Sequence, residues 1–355
     1  MEKSERLSYI DMAKGIAIIL VVAGHSTLVG FNLLTVITSF HMPLFFVISG
    51  LLFYYKNTKA EGFKSFARKR FFSMIIPYIS FSVIYILFYL FQLKSSEIIT
   101  PEYIHDAFLQ TFSLYGISVL WFLPAIFFGE IIFYLLIKKL PLKVASVIII
   151  VFALIPSFLR GRLDILIPDV ATIDALRFLR LFLVFLLRLP GAVAFLGTGY
   201  ALGTLNDKLV KRNRPIKPFI EVLIGVLLIG VDICLALLNG RVDMHYVAYN
   251  NTLIFYLAAI SASIGILLIC KHLPNIRPLS FFGKNSLIVM LTHLDCLMVV
   301  SGLSFAWWMD SFISFAKYYM YILNFAIFMA VTEAVLIFLI NNCLFFLIGK
   351  KKPVR

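Results

Sequence analysis

Apolar runs of about 20 residues recur along this chain from one end to the other. Each is long enough to cross a hydrocarbon core of roughly 30 Å as an α-helix. Stretches such as Val144–Ala153 and Phe325–Ala330 show no alternation of polar and apolar positions. Transmembrane β-strands alternate in that way over about ten residues, so a barrel is excluded. The expectation is an all-α, polytopic transmembrane bundle. Its spans fall at about 10–30, 36–55, 71–93, 112–137, 142–159, 181–204, 218–238, 251–270, 286–303 and 320–348. Connections are short and no repeat of solenoid length is present, so residues 1–355 read as a single membrane-embedded domain.

A soluble alternative fails on composition. The chain is 61% hydrophobic with a mean hydropathy of +0.98, against roughly 45–50% apolar residues in ordinary globular domains. The net charge of +14 invites a nucleic-acid reading, but its distribution argues otherwise. With the N-terminus inside, most of the 32 Lys and Arg residues fall on cytoplasmic segments. Outer segments hold only Lys94, Arg160, Arg162, Arg177, Arg180, Arg241 and Lys317. That asymmetry is the positive-inside rule, and it predicts an even number of spans with both termini cytoplasmic. The surplus charge orients the protein in a lipid bilayer, the cell (inner) membrane, and no nucleic-acid partner is expected. Cys234, Cys270, Cys296 and Cys343 have neither a disulfide framework nor metal-ligand spacing, so no metal is expected.

Ionisable side chains at membrane depth cost about 2.5–3.5 kcal/mol each on insertion scales, so each needs a reason. The first span concentrates them in Asp11, Lys14 and His25. Lys14 and His25 are eleven residues apart, which leaves them about 20° from one helix face and roughly 16 Å apart along the axis. Asp11 precedes Lys14 by one turn and can pair with it. The imidazole of His25 titrates near neutrality and is the natural general base at such a depth. On the second span His41 precedes Pro43, at a depth similar to that of His25. The proline is expected to break or kink that helix and free backbone amides. Two histidines at one level predict a shared polar cavity. Two short interfacial helices are also expected, over Gly62–Phe72 and around 171–180.

The segment Ile10–His25, with a basic residue, ten residues and then histidine, resembles the opening helix of the acyltransferase type 3 family of membrane O-acyltransferases. Phe40–Gly50 is similar to that family's Pro-x-Phe-Phe-x-x-Ser-Gly helix. Its histidine before the proline resembles the fucose 4-O-acetylase-like branch. Trp121-Phe122-Leu123-Pro124-Ala125 looks like the fourth-helix motif. Phe282-Gly283-Lys284-Asn285-Ser286-Leu287, followed by His293, is similar to a late segment of the family. The chain departs from the family at Arg68-Lys69-Arg70, which is followed by Ser73 where a second paired arginine would fall.

The resemblance implies transfer of an acyl group, acetyl from acetyl-CoA, to a sugar hydroxyl. The acceptor would be a cell-envelope or exported polysaccharide, or a lipid-linked glycan. His25 is the expected catalytic residue, with Lys14 and Asp11. Arg68, Lys69 and Arg70 are the expected binders of the coenzyme's phosphates. His41, Trp121, Glu130, Asn285 and His293 are the expected acceptor-site residues. The alternative is a glycan or lipid-linked sugar exporter of the same architecture that performs no chemistry.

Overall fold

Hydrocarbon offers no partner to a backbone N–H or C=O, so a chain this apolar is held to helices that bond internally. The computed structural model of the protein describes residues 3–26, 29–93, 99–168, 173–211, 216–294, 298–311 and 317–351, and no strand occurs among them. The helices in chain order are α1 (Lys3–His25), α2 (Phe31–Tyr55), α3 (Phe63–Arg70), α4 (Ile76–Gln92) and α5 (Pro101–Phe112). There follow α6 (Phe122–Lys139), α7 (Leu142–Ala153), α8 (Ile155–Leu166), α9 (Asp174–Lys211) and α10 (Pro218–Asn239). The last are α11 (Thr252–His272), α12 (Arg277–Lys284), α13 (Ser286–Thr292), α14 (Met298–Asp310) and α15 (Lys317–Asn342). Among the described residues, nine helical runs are long and apolar enough to cross a membrane. The protein is a polytopic helical bundle.

Four elements depart from the expected pattern. The first span stops at His25 rather than near residue 30, so His25 is a helix-terminal residue. Pro43 does not break α2, which runs on from Phe31 to Tyr55; no backbone amides are freed there. The stretch expected as a span over 286–303 is built instead from α13 and α14, with α12 just before them. Asn285, in a non-helical conformation, divides α12 from α13. The interfacial helix expected around 171–180 lies partly outside the described residues, and from Asp174 it is the opening of α9. At 38 residues, α9 is about 57 Å long, well beyond a core of roughly 30 Å. Its first turns, with Arg177 and Arg180, therefore extend past the apolar span. The inner interfacial helix is present as α3.

Without a hydrophobic drive between helices in lipid, small residues that let backbones approach set the packing. α1 crosses α12 at Gly15 and Gly283. A Cβ on Gly283 would overlap the Asp11 carbonyl, and one on Gly15 the Leu279 carbonyl. α2 meets α9 in the same way, Gly50 against Leu196 and Gly199 against Val47. These crossings seat α1 and α2, the carriers of the expected site residues, in the middle of the bundle.

Replacement of Gly283 by alanine is expected to destabilise the bundle by about 1–3 kcal/mol, the usual range for overpacking. Gly62→Ala, where nothing lies within 4 Å of the added methyl group, serves as the control. Thermal unfolding in detergent should show a lower midpoint for Gly283→Ala alone.

Candidate active site

α1 ends in a cavity of about 710 Å³ at the end of the bundle opposite Lys14. His25 is exposed into it, and His41 lines it from α2. The Nδ1 atom of His41 is 2.7 Å from the Ile37 carbonyl. A carbonyl only accepts, so this nitrogen carries a proton. His293 ends α13 behind His25, with ring centres 5.3 Å apart. It is wholly buried, and its Nδ1 donates to the Val289 carbonyl at 2.9 Å. Next to it Thr292 donates to Glu333 of α15 at 2.8 Å, which fixes α13 against that helix. Likewise Ser39, two residues before His41, donates to Asp232 of α10 at 2.7 Å.

The opposite wall comes from two connections. The turn before α6 carries left-handed backbone at Leu114, Gly116 and Ser118. Gly116 is required there, because a side chain would strike the backbone of Trp121. That turn delivers Tyr115 and Trp121 to the cavity. The other connection, between α10 and α11, closes on itself: Asp243 Oδ1 accepts from the backbone N–H groups of His245 and Tyr246. Asn250 Nδ2 donates to the Asn239 and Arg241 carbonyls. The loop presents His245, whose ring stacks on Trp121 at 5.8 Å and 11° and tilts on Tyr115 at 4.8 Å. Burial, then the charges of Arg188 and His25, push the His245 imidazole well below its ordinary range, so it is neutral at physiological pH.

One buried guanidinium joins these two connections. Arg188 of α9 is wholly buried, and its Nη1 donates to the Tyr115 carbonyl at 2.6 Å. Its Nε donates to the His245 carbonyl at 2.7 Å. The same group lies 4.2 Å from the Tyr115 ring centre and 5.4 Å from that of Trp121, within cation–π range.

A second polar centre lies at the other end of α1. Lys14 sits 3.9 Å from Asp11. Arg70 Nε is 2.8 Å from Glu130 Oε2, and Ser49 donates to the other oxygen of that buried carboxylate. Lys56 acts electrostatically on both carboxylates and Lys284 on Asp11. Burial first, then Arg70, lowers the pKa of Lys56. Four cations thus meet two carboxylates here.

The expected residues are therefore divided between two places. His25, His41 and Trp121 line the cavity, whereas His293 is not in its wall and lies buried behind His25, out of an acceptor's reach. Lys14, Asp11 and Arg70 lie at the other centre, roughly 16 Å down α1. Glu130 joins them there: it is nine residues after Trp121, about 13 Å along the helix, and it partners Arg70 rather than the cavity. Exposed Lys69 pairs with half-buried Glu61 at 2.5 Å, and Arg68 lies over the Phe72 ring at 5.9 Å. Neither turns inward. Asn285 is bonded by Asn341, itself bonded by Lys350, and lies about 12 Å along α13 from His293. Asn285 and His25 are not brought together. Arg188 and His245 were not among the expected site residues. An arginine in the middle of an apolar span was the available signal for the first. His245, in a polar loop, gave none.

Replacing Arg188 by methionine leaves two buried carbonyls without donors, at about 1–3 kcal/mol each. The loop carrying His245 should then open more often. Hydrogen exchange of amides 242–249 should quicken by at least tenfold while that of α11 stays near the wild-type rate. Arg188→Lys, with one ammonium in place of a fork, should recover only part of the protection.

A family model described as an acyltransferase domain matches residues 7–347. No curated protein matches the chain. No solved structure matches it either. The match covers nearly the whole bundle, including both polar centres, and the chain belongs to the acyltransferase 3 family of membrane acyltransferases.

Proposed function

We propose that this acyltransferase moves an acetyl group from acetyl-CoA to a sugar hydroxyl of a cell-envelope or exported polysaccharide or a lipid-linked glycan. The observation that carries the reading is the position of His25 at the end of α1, open to an aromatic-walled cavity, while the same helix bears Lys14 in a cation-rich centre at its other end. An anionic coenzyme with a long, flexible, thioester-bearing arm is a co-substrate that two such centres can share. The cation-rich end faces the cytoplasm, where the coenzyme is made, as the positive-inside bias requires. The cavity then faces outward, and the protein resides in the cell membrane.

In this reading the basic centre holds the phosphates through Lys14, Lys56 and Arg70, with Glu130 keeping Arg70 in place. At the cavity, His25 takes the proton of the acceptor hydroxyl as its oxygen attacks the thioester carbonyl. Collapse of the tetrahedral adduct breaks the C–S bond. The proton on His25 passes to the departing thiolate, leaving an ester and free CoA. His293, behind the His25 ring, limits how that ring can turn. Trp121 and Tyr115, whose faces are taken by His245 and Arg188, border the acceptor's space with what remains exposed of their rings.

Replacing His25 by alanine should lower acetyl transfer by about 10²–10⁴-fold, the usual contribution of a general base, at equal membrane expression. The readout is free CoA released by membranes supplied with acetyl-CoA and host glycan, with the ester located on the glycan by mass spectrometry. Near wild-type release by that variant overturns the assignment, and so does wild-type protein that releases no CoA. A second test concerns the donor. Lys56→Gln should raise the KM for acetyl-CoA several-fold with kcat within about twofold, the pattern of lost ground-state binding.

A further inference from the structure

The outer part of the cavity is rich in guanidinium groups. Arg160 of α8, Arg177 and Arg180 of α9, and Arg241 of the α10–α11 loop all line it. The carboxylates lining it are Asp106 and Asp243. Arg177 pairs with Asp106. Arg160 and Arg180 share a single carboxylate, Asp164, the latter at 2.8 Å. Asp243 is turned onto the backbone N–H groups of its own loop. Arg241 is exposed and has no carboxylate partner among the described residues. Beneath them lies Arg188, whose Nη2 is buried without a hydrogen-bond partner. Five guanidiniums thus stand against three carboxylates around one concave site with low-dielectric walls, where a charge imbalance focuses its field. Arginine remains charged at any physiological pH, and its planar fork matches carboxylate and phosphate oxygens.

We infer that the acceptor is an anionic glycan, one that carries a carboxylate or phosphate close to the hydroxyl presented to His25, and that Arg241 is the principal contact of that anion. The inference rests on the acyl-transfer reading only for what happens at His25. The anion site itself follows from the charge and shape of the cavity. A sugar ring sits in the cavity bordered by Trp121 and Tyr115 while its acidic substituent reaches toward Arg241, so charge selects the acceptor and fixes its orientation. Lysine or histidine would serve this purpose less well, because neither combines a permanent charge with a bidentate fork.

The test uses the full-length protein purified in nanodiscs and three tetrasaccharide probes: tetragalacturonate, a phosphorylated maltotetraose and plain maltotetraose. Binding is measured at low and at physiological salt, with free CoA present as a competitor in a parallel series. At least one acidic probe should bind tenfold or more tightly than maltotetraose. That preference should shrink as salt is raised, because the mouth is solvent-accessible. Arg241→Gln should reduce the preference about tenfold and Arg241→Glu abolish it, with maltotetraose binding unchanged in both. The two acidic probes separate a uronate-type from a phosphate-type acceptor. Absence of an acid preference overturns the inference, whether all three probes bind equally or none binds. Retention of the preference in Arg241→Glu also overturns it. Displacement of an acidic probe by CoA means that the arginines serve the donor, and overturns it too. His25-dependent CoA release is measured on the same preparation. Loss of that activity with acid preference intact refutes the transfer reading and leaves the anion site standing.

Discussion

A backbone carbonyl held away from water must find a donor, and in this bundle Arg188 meets that need where the chain leaves its helices. The loops that form a cavity at a membrane bundle's end are its least self-sufficient parts, because they lack the internal ladder of a helix. Here two of them, separated by more than a hundred residues, end on one guanidinium through the Tyr115 and His245 carbonyls. The same group packs against the rings of Tyr115 and Trp121. Backbone positions and aromatic faces are thus set together. A burial cost of that size is tolerable only when several of the donors are used.

The glycine crossings do for the helices what Arg188 does for the loops. Contact between α1 and α12 at Gly15 and Gly283 removes any slack between those backbones. That close approach is followed along α13 to His293, which then lies behind His25. α2 is held to α9 by Gly50 and Gly199, so His41 and Arg188 belong to neighbouring helices. A catalytic group at a helix end has fewer restraints than one in mid-helix. The bundle compensates by packing a second imidazole against it.

The two polar centres also divide the chemistry along α1. One is an ion cluster around a fully buried carboxylate, Glu130, held by Arg70 and Ser49. The other is a cavity lined by imidazole and aromatic rings, in which burial and Arg188 keep His245 neutral. A charged co-substrate and a hydroxyl acceptor make opposite demands on their surroundings. Roughly 16 Å of apolar helix separates environments that would disturb each other if merged.

Much of this was legible in the sequence, because the signals are local. Apolar runs dictate helices wherever no water can satisfy a backbone. The eleven-residue spacing of Lys14 and His25 puts them on one face whatever surrounds the helix. The motifs around His25, His41, Trp121 and His293 carry the family resemblance in the order of the chain. Other features belong to the tertiary structure. That α2 runs unbroken through Pro43, while the late span divides at Asn285, depends on the neighbours each helix finds. Glu130 sits on the same helix as Trp121, yet the distance along that helix and the reach of Arg70 assign it to the other centre. His245, Arg188 and the arginines of the mouth come from segments far apart in the chain, and only the packing of α9 against the α10–α11 loop makes them one wall. Periodicity describes which face of a helix a residue occupies. Which faces then meet is settled by close backbone approach and by the few buried polar groups that must find one another.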